Sequence, residues 1–261
     1  MASPQREVTA GGAPRRQVMV VAAAREIRDG EVVFVGMRLP LLGFALARAL
    51  HAPGIVGLFE NGVIRDTPPA GPIITMGDPP NILGAVACTT LRDVMGHLER
   101  GRVDVGFLGG AQVDRFGNLN TTWVAKGGRR IRLPGSGGAA DIAALAWRTV
   151  VIMQHERRRF PERVDYLTSP GYGTGGRWRQ DVGLPRGGPA RVITSLGVLG
   201  FDGDSGEMVL ETVHPGVTVE EVRAHTGWDL RVAPALGTTR EPGAEELAAL
   251  TQFDPDGMWT G

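Results

Sequence analysis

Residues 31–62, EVVFVGMRLPLLGFALARALHAPGIVGLFENG, contain three segments of different texture. EVVFVG (31–36) and GIVGLFE (54–60) are short apolar runs, the signature of buried strands. Between them, LPLLGFALARAL (39–50) carries apolar residues at helical spacing. Strand, helix and strand in about thirty residues is the unit of a parallel sheet covered by helices. The alternation continues in both directions. QVMVVAAAREIRD (17–29) reads as a helix with Gly30 as its stop, and TLRDVMGHLERG (90–101) as an amphipathic helix ending at glycine. VDVGFLGG (103–110) reads as a strand running into glycines, SGGAADIAALAW (136–147) as a glycine-rich helix start, and TVVIMQ (149–154) as a further strand. The fold class expected is α/β: an open, mainly parallel sheet with helices on both faces. In such sheets ligands sit beyond the carboxyl ends of the strands, which is where Glu60, Gly109 and Gly110 fall.

After residue 155 the texture changes. RVITSLGVLGFDGDSGEMVLETVHPG (191–216) reads as antiparallel strands with a turn at DGDSG. TVEEVRAHTG (218–227) has a Thr cap followed by Glu three residues later. The last thirty or so residues read as loops with one short helix near 244–250. The organisation expected is a flexible tail over 1–16 and a single domain over 17–261, with antiparallel additions toward the C-terminus.

Composition narrows the function. A formal net charge of zero argues against a protein built for nucleic acid or an anionic membrane. A single cysteine, Cys88, excludes an internal disulfide and any multi-cysteine metal site, and reads as a small buried residue. A reducing, cytoplasmic setting is expected, because no run of about 18 apolar residues is present and the first residues lack the apolar centre of a signal peptide. Glycine is the outlier: 39 residues, roughly twice the usual share of about 7%. The glycines cluster without a repeat, as tight turns where backbone closely approaches something.

Several chemistries fail on their motifs. No phosphate loop ends in Gly-Lys-Ser/Thr, and no Gly-x-Ser-x-Gly elbow occurs. GYGTGG (171–176) follows Ser-Pro rather than a clean strand, so it is a poor dinucleotide fingerprint. The five histidines have no metal-ligand spacing, so no metal site is expected, and His155 in MQHERRRF reads as structural or as part of an interface.

Glu60 remains. Asn61-Gly62 behind it is a turn signal, so Glu60 is either the solvated end of a strand or a nucleophile at the lip of a sheet. A carboxylate is already ionised at neutral pH and needs no general base; proximity and an oxyanion hole can offset its low nucleophilicity. Open backbone N–H groups for that hole come first from Gly109 and Gly110, then from Gly137 and Gly138. Gln112 and Asn120 are candidates to orient a thioester carbonyl or pantetheine amides, or are capped loop residues. Gly36 to Pro40 would line the pocket beside Glu60, and MGDPP (76–80) would stiffen a loop.

Five long stretches carry a resemblance: LFENGVIRD, MGDPP, GFLGGAQVDRFGNLNTT, RLPGSGGAADIA and VIMQHERRRFPERVDYLTSPGY. Together they resemble the beta subunit of class I CoA-transferases, most closely the B-type subunit of glutaconate CoA-transferase, in order from about residue 17 to 230. The resemblance implies an open α/β CoA-transferase (NagB-like) domain that pairs with an alpha subunit as a heterodimer or heterotetramer. In that family the nucleophile is a glutamate followed by a small polar residue and glycine, the position of Glu60, Asn61 and Gly62. The glutaconate type has serine after the glutamate and 3-oxoacid transferases have Asn-Gly, so the substrate stays open; Arg38 and Arg65 lie near the motif without an assigned role. The implied reaction is ping-pong transfer of coenzyme A between an acyl-CoA and a free, dicarboxylic acid through a glutamyl-CoA thioester, with no permanently bound cofactor. Relatives of the same fold that decarboxylate glutaconyl-type CoA esters or hydrolyse rings in CoA thioesters are the alternative, as are a thioester hydrolase and a non-catalytic subunit that completes a pocket.

Overall fold

The strand–helix–strand unit stands in the computed structural model, which describes residues 9, 12–184 and 186–261. Helix α1 (Arg15–Arg25) leads into β1 (Val32–Phe34), α2 (Leu39–Leu50) and β2 (Val56–Leu58). Then follow β3 (Val63–Arg65), α3 (Pro79–Ile82), β4 (Ala87–Cys88), α4 (Leu91–Glu99) and β5 (Val105–Leu108). Four short strands, β6 (Gln112–Val113), β7 (Leu119–Asn120), β8 (Trp123–Lys126) and β9 (Arg129–Arg132), precede α5 (Ala139–Leu145) and β10 (Arg148–Met153). The chain continues with α6 (Trp178–Asp181), β11 (Pro189–Thr194), β12 (Gly197–Phe201), β13 (Met208–Val213), α7 (Val219–Ala224), β14 (Arg231–Thr238) and α8 (Ala244–Phe253).

Ten of these strands form one sheet in the order β14-β13-β12-β11-β10-β5-β1-β2-β3-β4. Its centre, from β11 to β2, is parallel throughout. β12 and β13 continue it as antiparallel strands, as the DGDSG turn predicts. The other edge, β3 and β4, is antiparallel too, an addition the residue pattern did not announce.

Alternate residues of β1 explain the two layers. Val33 and Val35 face α1, α2 and α8, in one core with Val20, Phe44, Leu46 and Leu250. Phe34 faces the opposite side, in a second core with Val94 and Leu98 of α4, Ile142 of α5 and Val222 of α7. A strand covered on both faces cannot alternate apolar with polar residues, which is why these strands read as continuous apolar runs. Each large side chain so buried contributes roughly 1.5–3 kcal/mol.

Four local expectations need correction. Helix α1 ends at Arg25 rather than at Gly30: Glu26 and Ile27 tighten to bonds with Ala23 and Ala24 carbonyls, and Ile27 turns into the core. It starts at Arg15, so two residues assigned to the tail are helical; residues 1–8, 10 and 11 of that tail lie outside the described residues. The C-terminal thirty residues hold the strand β14, parallel to β13. Pro234 hides it, and the register jumps from Val232 to Gly237, looping the proline out of the ladder at the sheet edge. Cys88 is exposed, because it lies on the outermost strand.

Among the described residues, no group of His, Cys, Asp and Glu could hold a metal, and no helix is long and apolar enough to cross a membrane. His155 is buried, stacked on Phe160 at 3.9 Å, with its ring nitrogens on the Thr194 and Thr226 hydroxyls at 3.1 and 3.0 Å. His214 is buried as well, with Nε2 donating to the Thr194 carbonyl at 2.7 Å. Loss of hydration pulls His155 down to about 3 and His214 to about 4. Both stay neutral when folded, while the unfolded chain takes up their protons below about 6.5. Stability is therefore expected to be flat above about pH 6.5 and to fall on acidification toward pH 3, by on the order of 1.4 kcal/mol per pH unit per histidine at the steepest. Urea titrations from pH 7.5 to 4 on wild type and His155→Gln check this; equal slopes in the two proteins would remove His155 as the cause.

Candidate active site

Strand β2 stops at Leu58, and the chain turns over Phe59-Glu60-Asn61-Gly62, closed by the Gly62 N–H to the Phe59 carbonyl at 2.9 Å. Glu60 is thus the first corner residue of a β-turn, two residues beyond the strand rather than its last member. Gly62 has φ +102°, and a Cβ there would lie 2.3 Å from the Thr89 carbonyl oxygen. Only glycine fits both restrictions. Asn61 fastens the turn: its Nδ2 donates to the Met76 carbonyl at 2.7 Å, and its Oδ1 accepts from Val63 N at 3.3 Å. Asn81 Nδ2 donates to the same Met76 carbonyl at 2.8 Å, so the MGDPP segment is tied to the turn from both sides. Asp78 stiffens that segment by accepting from Ile74 N, Thr75 N and Thr75 Oγ1.

The half-buried carboxylate of Glu60 accepts one hydrogen bond among the described residues, from Gly138 N to Oε1 at 3.0 Å. A Cβ at Gly138 would lie 3.3 Å from Oε1 and one at Gly137 3.4 Å from it. Both glycines therefore press bare backbone against the carboxylate. The geometry reverses the order of preference taken from the sequence, in which Gly109 and Gly110 came first. Those two follow β5 on the same edge of the sheet; Gly109 lies beside the Ile152 carbonyl, and Gly110 is folded against Gln112 and Asn120. Gly36 sits between Pro40 at the start of α2 and the Phe107 carbonyl.

Gln112 and Asn120 are buried and bonded to each other, Asn120 Nδ2 to Gln112 Oε1 at 2.7 Å. Gln112 Nε2 donates to Asp165 at 3.0 Å, and Asn120 Nδ2 also donates to the Trp123 carbonyl at 2.7 Å. Their amide groups are engaged within the fold, at the root of the β8–β9 hairpin. Arg65 is buried too, and its guanidinium donates to the carbonyls of Thr67, Pro68, Asn81 and Leu83. It pins the loop that carries MGDPP, a role no local pattern signals because all its acceptors are backbone. Arg38 stands over the Trp259 ring at 5.4 Å.

The arrangement is an accessible carboxylate on a rigid turn, with a backbone N–H already directed at one of its oxygens. That N–H meets an oxyanion when a nucleophile adds to the carbon of an acylated Glu60, the requirement for stabilising a tetrahedral intermediate.

Comparison with known proteins agrees with this fold. The model of the family described as "Coenzyme A transferase" matches residues 16–225. The chain is 40% identical over 240 residues to the B-type subunit of 3-oxoadipate CoA-transferase from Pseudomonas knackmussii, covering 91% of this chain and 92% of that one. It superposes on the crystal structure of glutaconate coenzyme A-transferase from Acidaminococcus fermentans with a TM-score of 0.88 at 30% identity, covering 98% of this chain and 99% of the other. The decarboxylase AibA/AibB gives a TM-score of 0.80 at 30% identity, with 94% and 96% covered.

Proposed function

The chain belongs to the coenzyme A transferase family, and from that premise we propose that it is the B-type subunit of a heteromeric CoA-transferase whose nucleophile is Glu60. The observation that carries this reading is the Gly138 N–H held 3.0 Å from Glu60 Oε1. Glu60 attacks the thioester carbonyl of an acyl-CoA and expels the CoA thiolate, leaving a mixed acyl-glutamyl anhydride. The thiolate then adds to the glutamyl carbonyl. Charge collects on the glutamyl oxygen that faces Gly138, and the free carboxylate departs as the glutamyl-CoA thioester forms. An acceptor carboxylate attacks that thioester and reverses both steps, which regenerates Glu60. One thioester is exchanged for another, so no ATP is consumed.

Two similar proteins are named for 3-oxoadipate and glutaconate, both dicarboxylic acids. A dicarboxylic acid is the acceptor class this supports. Both names also support assembly with an alpha subunit, as a heterodimer or a heterotetramer. A second reading, decarboxylation of a CoA ester, draws on the likeness to the decarboxylase AibA/AibB.

The test is intact-mass analysis of the complex purified with its alpha subunit, given acyl-CoA without an acceptor. A CoA-sized adduct on Glu60, discharged by a dicarboxylic acid, is the expected result. Loss of carbon dioxide from the CoA ester with no adduct would move the assignment to the second reading.

A further inference from the structure

We propose that the β8–β9 hairpin holds the phosphorylated ADP end of coenzyme A, through Arg130 and Arg132 beside the Trp123–Tyr166 aromatic pair. The inference rests on the family's use of coenzyme A, and on Glu60 as the place where its thioester reacts.

The hairpin is an outlier in a neutral chain. Its short run WVAKGGRRIR (123–132) holds Lys126, Arg129, Arg130 and Arg132, with no acidic residue between them. None of the four makes an ion pair among the described residues. All of β9 is exposed. The turn Gly127-Gly128 has φ +57° and +72°, the two left-handed residues that a tight hairpin needs. Four unpaired cations on two adjacent strands repel one another, so the arrangement is favoured when an anion joins it.

Register sorts the side chains. Trp123 pairs with Arg132 and Ala125 with Arg130, so Trp123, Arg130 and Arg132 share one face. On that face the Arg130 guanidinium stands 4.5 Å from the centre of the Trp123 ring. The Tyr166 ring lies 6.2 Å from Trp123 and is 46% exposed. Two guanidiniums suit phosphate oxygens, and aromatic rings suit a purine face.

The hairpin is also anchored to the reacting end of the site. Leu133 N donates to the Thr122 carbonyl at 2.9 Å and Gly135 N to the Thr121 carbonyl at 2.8 Å, closing its base. Three residues on from Gly135, Gly138 contacts Glu60. From base to tip the strands span roughly 13 Å at about 3.3 Å per residue, of the order of the pantetheine arm between a thioester and the diphosphate. The buried network described above holds the root: Asp165 Oδ2 accepts from Ala125 N at 2.9 Å and from Gln112, and Asn120 grips the Trp123 carbonyl. Gln112 and Asn120 thereby act as positioning residues for the hairpin.

The experiment uses the complex with its alpha subunit and the double variant R130Q/R132Q. KM is measured for one acyl-CoA and for its 3′-dephospho analogue, alongside equilibrium binding of free coenzyme A. The expected result is a KM for acyl-CoA raised about tenfold or more, kcat within about twofold, and a smaller effect with the dephospho ester. Equal KM values in wild type and variant would overturn the proposal. So would loss of the alpha subunit on size exclusion, which would make the hairpin a protein-docking arm. Coenzyme A binding and KM are readable whether the complex transfers, decarboxylates or hydrolyses the ester. Failure of the Glu60 mechanism therefore appears as a missing adduct with a normal phosphate effect, and failure of this proposal as the converse.

Discussion

Replacing Glu60 by alanine is expected to lower coenzyme A transfer by at least about 10³-fold, because it removes the only atom set that can carry CoA between donor and acceptor. The fold should survive. Glu60 is half-buried at a turn, and its carboxylate gives up one hydrogen bond, from Gly138. Glu60→Gln is the sharper variant: its amide oxygen can still accept from Gly138 N, but it has no nucleophilic carboxylate. Transfer assays should show both variants inactive, with acyl-CoA binding retained. Turnover within about twofold of wild type would instead make this chain a subunit that completes a pocket whose chemistry lies elsewhere.

Gly62→Ala should be nearly as damaging, by a different route. At φ +102° an alanine carries backbone strain, and its Cβ would sit 2.3 Å from a backbone carbonyl oxygen that no rotamer change can move. Strain of about 1–2 kcal/mol and overpacking of about 1–3 kcal/mol are the expected costs. Against a total stability of about 5–15 kcal/mol for ordinary domains, that is a large share. Relief requires the Phe59–Gly62 turn to part from Thr89, which would swing Glu60 away from Gly138. Urea denaturation should show a lowered midpoint, and the surviving folded protein should transfer poorly. A wild-type midpoint with wild-type activity would show that the turn relaxes without moving Glu60.

Much of this architecture is written in contiguous residues. Buried parallel strands appear as apolar runs, helices as apolar spacing, and the Thr90 and Thr218 caps accept from Asp93 N and Glu221 N as their positions predict. Helix α2 occupies the predicted 39–50. Strands with little apolar content were harder to see. β3 and β4 are only three and two residues long, and β14 carries a proline. Edge strands bury one side or neither, so the pattern that reveals a central strand is absent from them.

The site divides in the same way. Glu60, its Asn-Gly turn and the glycine clusters are local features, open to inspection in the chain itself. Ranking the clusters was not possible there: GGAQ and GSGGA offer the same chemistry on paper. Gly138 reaches Glu60 across 78 residues because the order β5-β1-β2 brings strand ends together, and α5 starts beside them. Likewise, Gln112 and Asn120 are amides with free hydrogen-bonding capacity in a sequence, but in the folded chain they are engaged with Asp165 and with each other. Strand runs, helix caps and turns follow from interactions a few residues apart. Which N–H faces which carboxylate, and whether a polar side chain is free or engaged, depends on sheet order and packing between distant segments, which no contiguous stretch encodes.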